Sequence, residues 1–447
     1  MAQFNSANGS FQAHNHTLFE VNMLATSDGQ DVNNYNPYPV RLGASQSDAF
    51  GRLRTSEPFT LGDYKHLYGL DPNFLDKTVG GGSIQYVHSQ ACARLSTSTG
   101  TTDSIIHQTK FYHHYMPGKS QLIKTTFNFY SAVANVTKRT GYFDDNNGIF
   151  FEQAGDGTLS FCIRSDVSGS PSDARKVSQA DWNVDKCNGT GPSGFSLDIT
   201  KTQIFFTDFQ WLGVGRVRCG FVHNGDMIIA HEFYTSNFYP TVYMSNPNLP
   251  VRCEIKNTGA TAGGYMDQIC STVLSEGGYV ESGQDWAVSS PTLRTITAAN
   301  STPVLAIRLK NDFNTYPNRV IVRAENIHVF SSGENVKFQL IKLANSSVLT
   351  GGSWSNVKTG SSAVEYNATA TAWVDGDELD NGYVSASTQG SQKTGGSPGA
   401  NLPSSAKKNY IVQNFDSSNS EIYIVAVTNI GASSTDVGVG IQWREIY

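Results

Sequence analysis

Apolar and polar residues alternate with a period of two along most of this chain, and turn residues break the alternation about every ten positions. The clearest case is 216–233, RVRCGFVHNGDMIIAHEF, where Val217, Cys219 and Phe221 alternate with Arg216, Arg218 and Gly220. Asn224-Gly225 follows, and Met227, Ile229, His231 and Phe233 resume the pattern. Asn-Gly supplies the two positive-φ residues of a type I′ turn, so the spacing predicts a hairpin. Cross-strand pairs contribute only ~0.2–1 kcal/mol each, so such a hairpin has to lay its apolar face on a second sheet. Residues 122–129, 148–152 joined through Gly155-Asp156-Gly157 to 158–164, 203–212 and 251–255 read the same way. Helical character is limited to short stretches at 72–78 and around 178–182.

Around Ser289-Ser290-Pro291 the texture changes, and cysteine is absent from there to the end. Strands are expected at 304–309, 319–330, 336–343, 368–374, 421–427 and 437–444. The Gly/Ser/Gln/Pro-rich stretch 385–405 is too polar to pack and reads as an exposed loop. No internal period is present, which disfavours solenoids and propellers. The expected fold is all-β: two antiparallel β-sandwich, jelly-roll-like domains preceded by an extended N-terminal arm. Residues 1–63 form the arm with its attachment strand, 64–290 the larger sandwich and 291–447 the smaller one.

Composition narrows the partners. The chain has 447 residues, of which 16% are charged, against roughly 25% in an average soluble domain. Gly, Ser, Thr and Asn fill the difference, so surface contacts rest on hydrogen bonding and packing. A net charge of −6 without a Lys/Arg block offers nothing to a run of phosphates, and nucleic acid is not an expected partner. The first thirty residues lack a basic start and an apolar core, and no apolar run reaches ~18 residues. Neither membrane insertion nor export through a conventional signal is expected. The six cysteines show no CxxC spacing and are expected to be free, buried thiols.

Candidate chemistry is sparse. Glu152, Glu232 and Glu254 fall on expected strands, but each has an apolar or amide neighbour at the even positions, so no two-carboxylate glycosidase motif lies along a strand. His113 and His114 are consecutive and point to opposite faces of a strand, while His107 and His113 stand roughly 20 Å apart along one. Half-buried structural histidines are expected. Val374–Gly382, VDGDELDNG, gathers Asp375, Asp377, Glu378 and Asp380, and oxygen-rich turns hold calcium. The stretch lacks the glycine and the terminal bidentate Glu of a calcium loop, so Asp375, Asp377 and Asp380 are weak calcium candidates and an acidic surface turn is the expectation. Gly80-Gly81-Gly82 leads into a strand, not a helix, and offers no helix N-terminus to a phosphate. No cofactor is expected. Rings beside Asn, Ser and His in 110–117 and 231–244 make Tyr112, Tyr234 and Tyr239 candidates for surface contact with a glycan, with a protein interface and core packing as the other uses of such rings.

Five segments carry a resemblance: DAFGRLRTSEPFTLGD at 48–63, YMPGKSQLI at 115–123, WLGVGRVRCGFVHNGDMIIAHEF at 211–233 with YMSNPNLPVRCEI at 243–255, and YPNRVIVRAENIHVFSSGENVKFQLI at 316–341. Together they resemble a family of virion structural proteins of tailed bacteriophages. The central block looks like the concanavalin/laminin-G-like sandwich found in carbohydrate-binding and adhesive modules. The resemblance implies a non-enzymatic structural component of a virion, assembled in the host cytoplasm and associated with tail, baseplate or fibre. Its alternatives are a capsid decoration or cement protein and, in another class, a polysaccharide-degrading tail enzyme. The arm would then join other virion proteins: Phe50, Arg52, Leu53 and Arg54 form an alternating segment that can add to a neighbour's sheet edge, or else serve as the first strand of the chain's own sandwich. Closed symmetry makes a homotrimer the expected assembly, and a host-surface glycan is the outward ligand implied.

Overall fold

The computed structural model describes residues 48–50, 58–345, 348–386 and 410–447 in full. Of four further short strands, Gln3–Asn5, Ser10–Gln12, Leu18–Glu20 and Ala400–Asn401, it describes the backbone. The first three pair antiparallel as a meander. The rest of the expected arm, and the expected loop apart from its first two residues and Ala400–Asn401, lie outside the described residues.

Among the described residues the chain is all-β, and its larger sheets stack as two antiparallel sandwiches. In the first, a seven-stranded sheet runs Ser172–Ser178, Leu159–Ser165, Gly148–Gln153, Val136–Phe143, Val251–Asn257, Ser104–Thr109, Phe74–Val79. It faces a sheet of Asp226–Phe233, Val217–His223, Gln203–Phe209, Ser120–Asn128, Tyr265–Glu276, Cys92–Ser96 and Ser83–Val87, with Phe59–Lys65 also paired to Tyr265–Glu276. The expected hairpin is present: Asn224 (φ 52°) and Gly225 (φ 92°) both take the left-handed backbone of the predicted turn.

Rings fill the space between these sheets. Phe161 stacks on Trp182 at 4.3 Å, Phe129 on Phe151 at 5.5 Å, and Phe221 meets Phe151 edge-on at 5.1 Å. Burying each such ring stabilises the fold by ~1.5–3 kcal/mol, so this cluster is the first sandwich's main source of stability. Trp182 enters directly after a single 3-10 turn, Gln179–Asp181, where a short helix was expected. The other expected helix, 72–78, is corrected to the edge strand Phe74–Val79. An edge strand that buries only Phe74 needs no apolar alternation, so the pattern did not show it.

The second sandwich packs a sheet of Gln284–Ser289, Thr435–Ile446, Ile321–Ser331 and Ala400–Asn401 against one of Ser355–Asn356, Val364–Asn367, Ser301–Leu309, Ile422–Asn429, Val336–Leu343 and Asp377–Val384. Trp443, Val322, Val425 and Tyr423 are buried between them. Of the strand expected at 368–374 only Ala372–Trp373 forms. Two pairings shift the expected boundaries by a few residues. Phe59–Lys65 joins the first sandwich through Tyr265–Glu276, and Gln284–Ser289 joins the second through Thr435–Ile446. Across the junction Lys110 lies 3.5 Å from Glu421, Arg323 pairs with Glu281 at 2.5 Å, and Phe111 meets Tyr410 edge-on at 5.5 Å.

All six cysteines are free, and five of them are buried. Burial pushes the thiols up, Cys92 to about 11 and Cys219 and Cys253 to about 12, so they pack as small apolar groups. No helix of the described residues is long and apolar enough to cross a membrane.

Candidate functional site

Strand pairing, rather than any linear motif, assembles a charged site on the outer face of the seven-stranded sheet. On Val136–Phe143, Val136 and Tyr142 enter the core, which leaves Arg139 and Phe143 on the outer face of the seven-stranded sheet. The register sets Arg139 opposite Glu152 on one neighbouring strand and Glu254 on the other. Its Nε donates to Glu152 Oε2 at 2.7 Å and its Nη1 to Glu254 Oε1 at 3.1 Å. Lys176 Nζ reaches the other Glu152 oxygen at 2.8 Å. Arg164 makes a two-pronged pair with Asp173 at 2.8 and 3.0 Å, and Arg252 donates to Asp145 at 2.6 Å and to Gln108 at 2.8 Å.

Beneath these charges lies an apolar floor that faces away from the core. Phe143, Phe150 and Cys162 are fully buried because guanidinium groups roof them. Arg139 and Arg164 sit 5.3 and 5.2 Å from the Phe150 ring centre, and Arg252 is 5.3 Å from that of Phe143. Between the charged groups opens a cavity of about 350 Å³ lined by Arg139, Arg164, Asp145, Asp173, Glu254 and Lys256.

The charges are mutually fixed. Burial alone would lower the Arg139 guanidinium, but Glu254 and Glu152 outweigh it and hold it above its ordinary value. Burial would raise Asp173, but Arg164, Arg139 and Lys176 bring it below the usual carboxylate range. Asp145 is likewise lowered, its burial outweighed by Arg252. Guanidinium and carboxylate groups locked in plane present paired donors and acceptors without having to reorganise. The sequence pattern treated Glu152 and Glu254 as isolated because it compares residues along a strand. Their neighbour Arg139 lies across two ladders, and only the register reveals it.

The expected attachment segment divides at residue 50. Asp48 and Ala49 are buried on the chain's own first sandwich: Arg216 Nε and Nη2 donate to the Ala49 carbonyl at 3.2 and 2.9 Å, and Gln210 Nε2 does so at 3.1 Å. Phe50 is half-buried, and its amide donates to Asp48 Oδ1 at 2.9 Å. Arg52, Leu53 and Arg54 lie outside the described residues.

Of the three tyrosines, Tyr112 is corrected: it is only 6% exposed, under the Arg319 guanidinium at 4.7 Å, because its segment is caught between the two sandwiches. Tyr234 is 61% exposed and hydrogen-bonds Glu232, beside Phe238 at 72%. Tyr239 is half-buried with Arg175 stacked 4.1 Å from its ring.

The weak calcium candidates are also corrected, since among the described residues no three His, Cys, Asp or Glu side chains converge to hold an ion. Asp377–Val384 is a strand and not a turn, with a register shift that sets Asp377 opposite Lys342 and Asp380 opposite Leu340, while Asp375 accepts from the Gly376 amide at 2.8 Å.

Among the described residues His66, His107, His113 and His231 are buried, whereas His88, His223 and His328 are exposed. His107 bonds Asp76 at 2.5 Å, and His113 lies 2.8 Å from the Tyr64 hydroxyl. The glycine run at 80–82 wraps the chain's own Asp103. A Cβ at Gly80, whose φ is +60°, would stand 2.2 Å from that carboxylate, which also accepts from Ser98 at 2.5 Å.

No protein-family model matches the chain, and no curated protein does. Solved structures align with about half of it. A β-1,3-glucanase from Mycobacterium marinum is 9% identical over 49% of this chain and 99% of its own, with a TM-score of 0.33. A carbohydrate esterase of Shiga toxin-encoding bacteriophage phi24B is 10% identical over 49% of this chain and 99% of its own, at 0.30. The Emp47p carbohydrate recognition domain is 10% identical over 48% of this chain and 94% of its own, at 0.29.

Proposed function

We propose that this chain is a non-enzymatic structural component of a tailed-phage virion, associated with tail, baseplate or fibre, whose first sandwich turns the Arg139 cleft toward a host-surface glycan. The five segments that resemble phage virion proteins support the setting, with a closed homotrimer as the assembly. The clasp on Asp48 and Ala49 gives the arm a fixed point of departure for joining a neighbouring protein.

The observation that carries the recognition role is the interlocked charge of the cleft. Glycoside hydrolysis needs one carboxyl held protonated near neutral pH while a second stays ionised. Here Asp145 and Asp173 are held below the usual range by guanidinium partners, and Glu152 and Glu254 share one arginine. Such a rim suits a hydroxyl-rich ligand, whose vicinal oxygens match paired planar groups, and its rigidity keeps the ordering cost of binding small.

The test is to immobilise envelope polysaccharide of the host and measure both capture of the purified chain and release of reducing ends. Capture without release, lost on Arg164→Ala, is the expected result. Release of fragments supports the degrading enzyme instead, and absence of capture removes the glycan role.

A further inference from the structure

The strand Thr435–Ile446 sends Val437, Val439, Ile441 and Trp443 into the second core, which leaves Gly438 and Gly440 on the outer face. Register sets Phe330 opposite Gly438 and His328 opposite Gly440 on one side, with Ser289 opposite Gly440 on the other. The result is a trough of about 460 Å³ with a glycine floor, one wall of Phe330 and His328, and another of Leu293 and Ser290. Phe330 is 50% and Leu293 54% exposed, and no Asp, Glu, Lys or Arg lines the trough.

The fold itself does not require these glycines. Neither takes a positive φ. A Cβ at Gly440 would meet nothing nearer than 3.7 Å, and one at Gly438 would meet a Leu293 methyl at 3.0 Å, which a side-chain rotation relieves, and the Ser290 hydroxyl at 3.9 Å. Glycine weakens a strand interior, and where packing does not call for it the open floor marks close approach by another molecule.

We infer that this trough is a binding site for a neutral saccharide, distinct from the charged cleft of the first sandwich. A pyranose has a flat C–H face that lies on a bare backbone and against an aromatic wall, and a rim of hydroxyls that meets serine, imidazole and amide groups. Ser289, Ser290, His328 and Gln442 supply that rim. The absence of charge in the lining matches an uncharged ring, and the volume falls within the ~300–1,000 Å³ of small-ligand sites.

The experiment is calorimetric titration of the full chain with the methyl glycosides of glucose, galactose and N-acetylglucosamine, with sedimentation run in parallel. At least one glycoside binds. Gly440→Val weakens it by about tenfold or more while Tm holds or rises, because valine favours a strand. Phe330→Ala weakens it similarly, which places the binding in the trough and not in the cleft. The inference is overturned if no glycoside binds, if both trough variants bind as well as the parent, or if the parent self-associates and Gly440→Val abolishes that association, since the face is then an interface between copies.

Discussion

His113 shows how one buried side chain sets a pH limit on the first sandwich. Its Nδ1 lies 3.1 Å from the Leu249 carbonyl oxygen and its Nε2 2.8 Å from the Tyr64 hydroxyl. The neutral ring with its proton on Nδ1 satisfies both partners, and burial pushes its pKa down to about 4. An unfolded chain takes up this proton near pH 6.5, whereas the native chain resists it until about 4, so the stability the site contributes is fully present above 6.5 and is lost as pH falls through that window. The loss amounts to about 3 kcal/mol for this group. Urea unfolding between pH 7.5 and 4.5 should therefore show a falling free energy, and His113→Asn should flatten the fall. An equal slope in parent and variant would remove His113 as its source.

At the level of elements, the turn Asn224-Gly225 carries a sharp expectation. Gly225 has a φ of 92°, which a β-branched residue adopts only under strain. Gly225→Val should cost about 1–3 kcal/mol and lower Tm by several degrees without altering the denaturant slope. An unchanged Tm would mean that the turn does not hold the hairpin's register. This hairpin was legible in the sequence because its turn chemistry and its alternation agree. Phe74–Val79 was not, because an edge strand with one buried residue has no period to detect. The charged cleft was illegible for a different reason: Arg139 and Glu254 are 115 residues apart in the chain, and both glutamates meet that arginine only through two ladders. Tyr112 was misplaced because composition identifies a ring-rich stretch but not the second sandwich that covers it.

For the whole molecule, the physical picture is one of two sandwiches with ring- and aliphatic-filled cores, joined by polar and aromatic contacts such as Arg319 on Tyr112 and Lys110 beside Glu421. Each lobe offers an outward recess of different chemistry, one charged and interlocked, the other neutral and floored with glycine. On the proposed reading these surfaces act by fit, and fit is useful when many copies are presented together on a larger body. The account therefore stands or falls on where the chain resides. Electron cryomicroscopy of purified particles, with peptide mass analysis of the same preparation, tests it most directly. The account predicts peptides of this chain in the particles and paired β-sandwich density on the outside of the tail, baseplate or fibre. Particles that lack the chain altogether would contradict it.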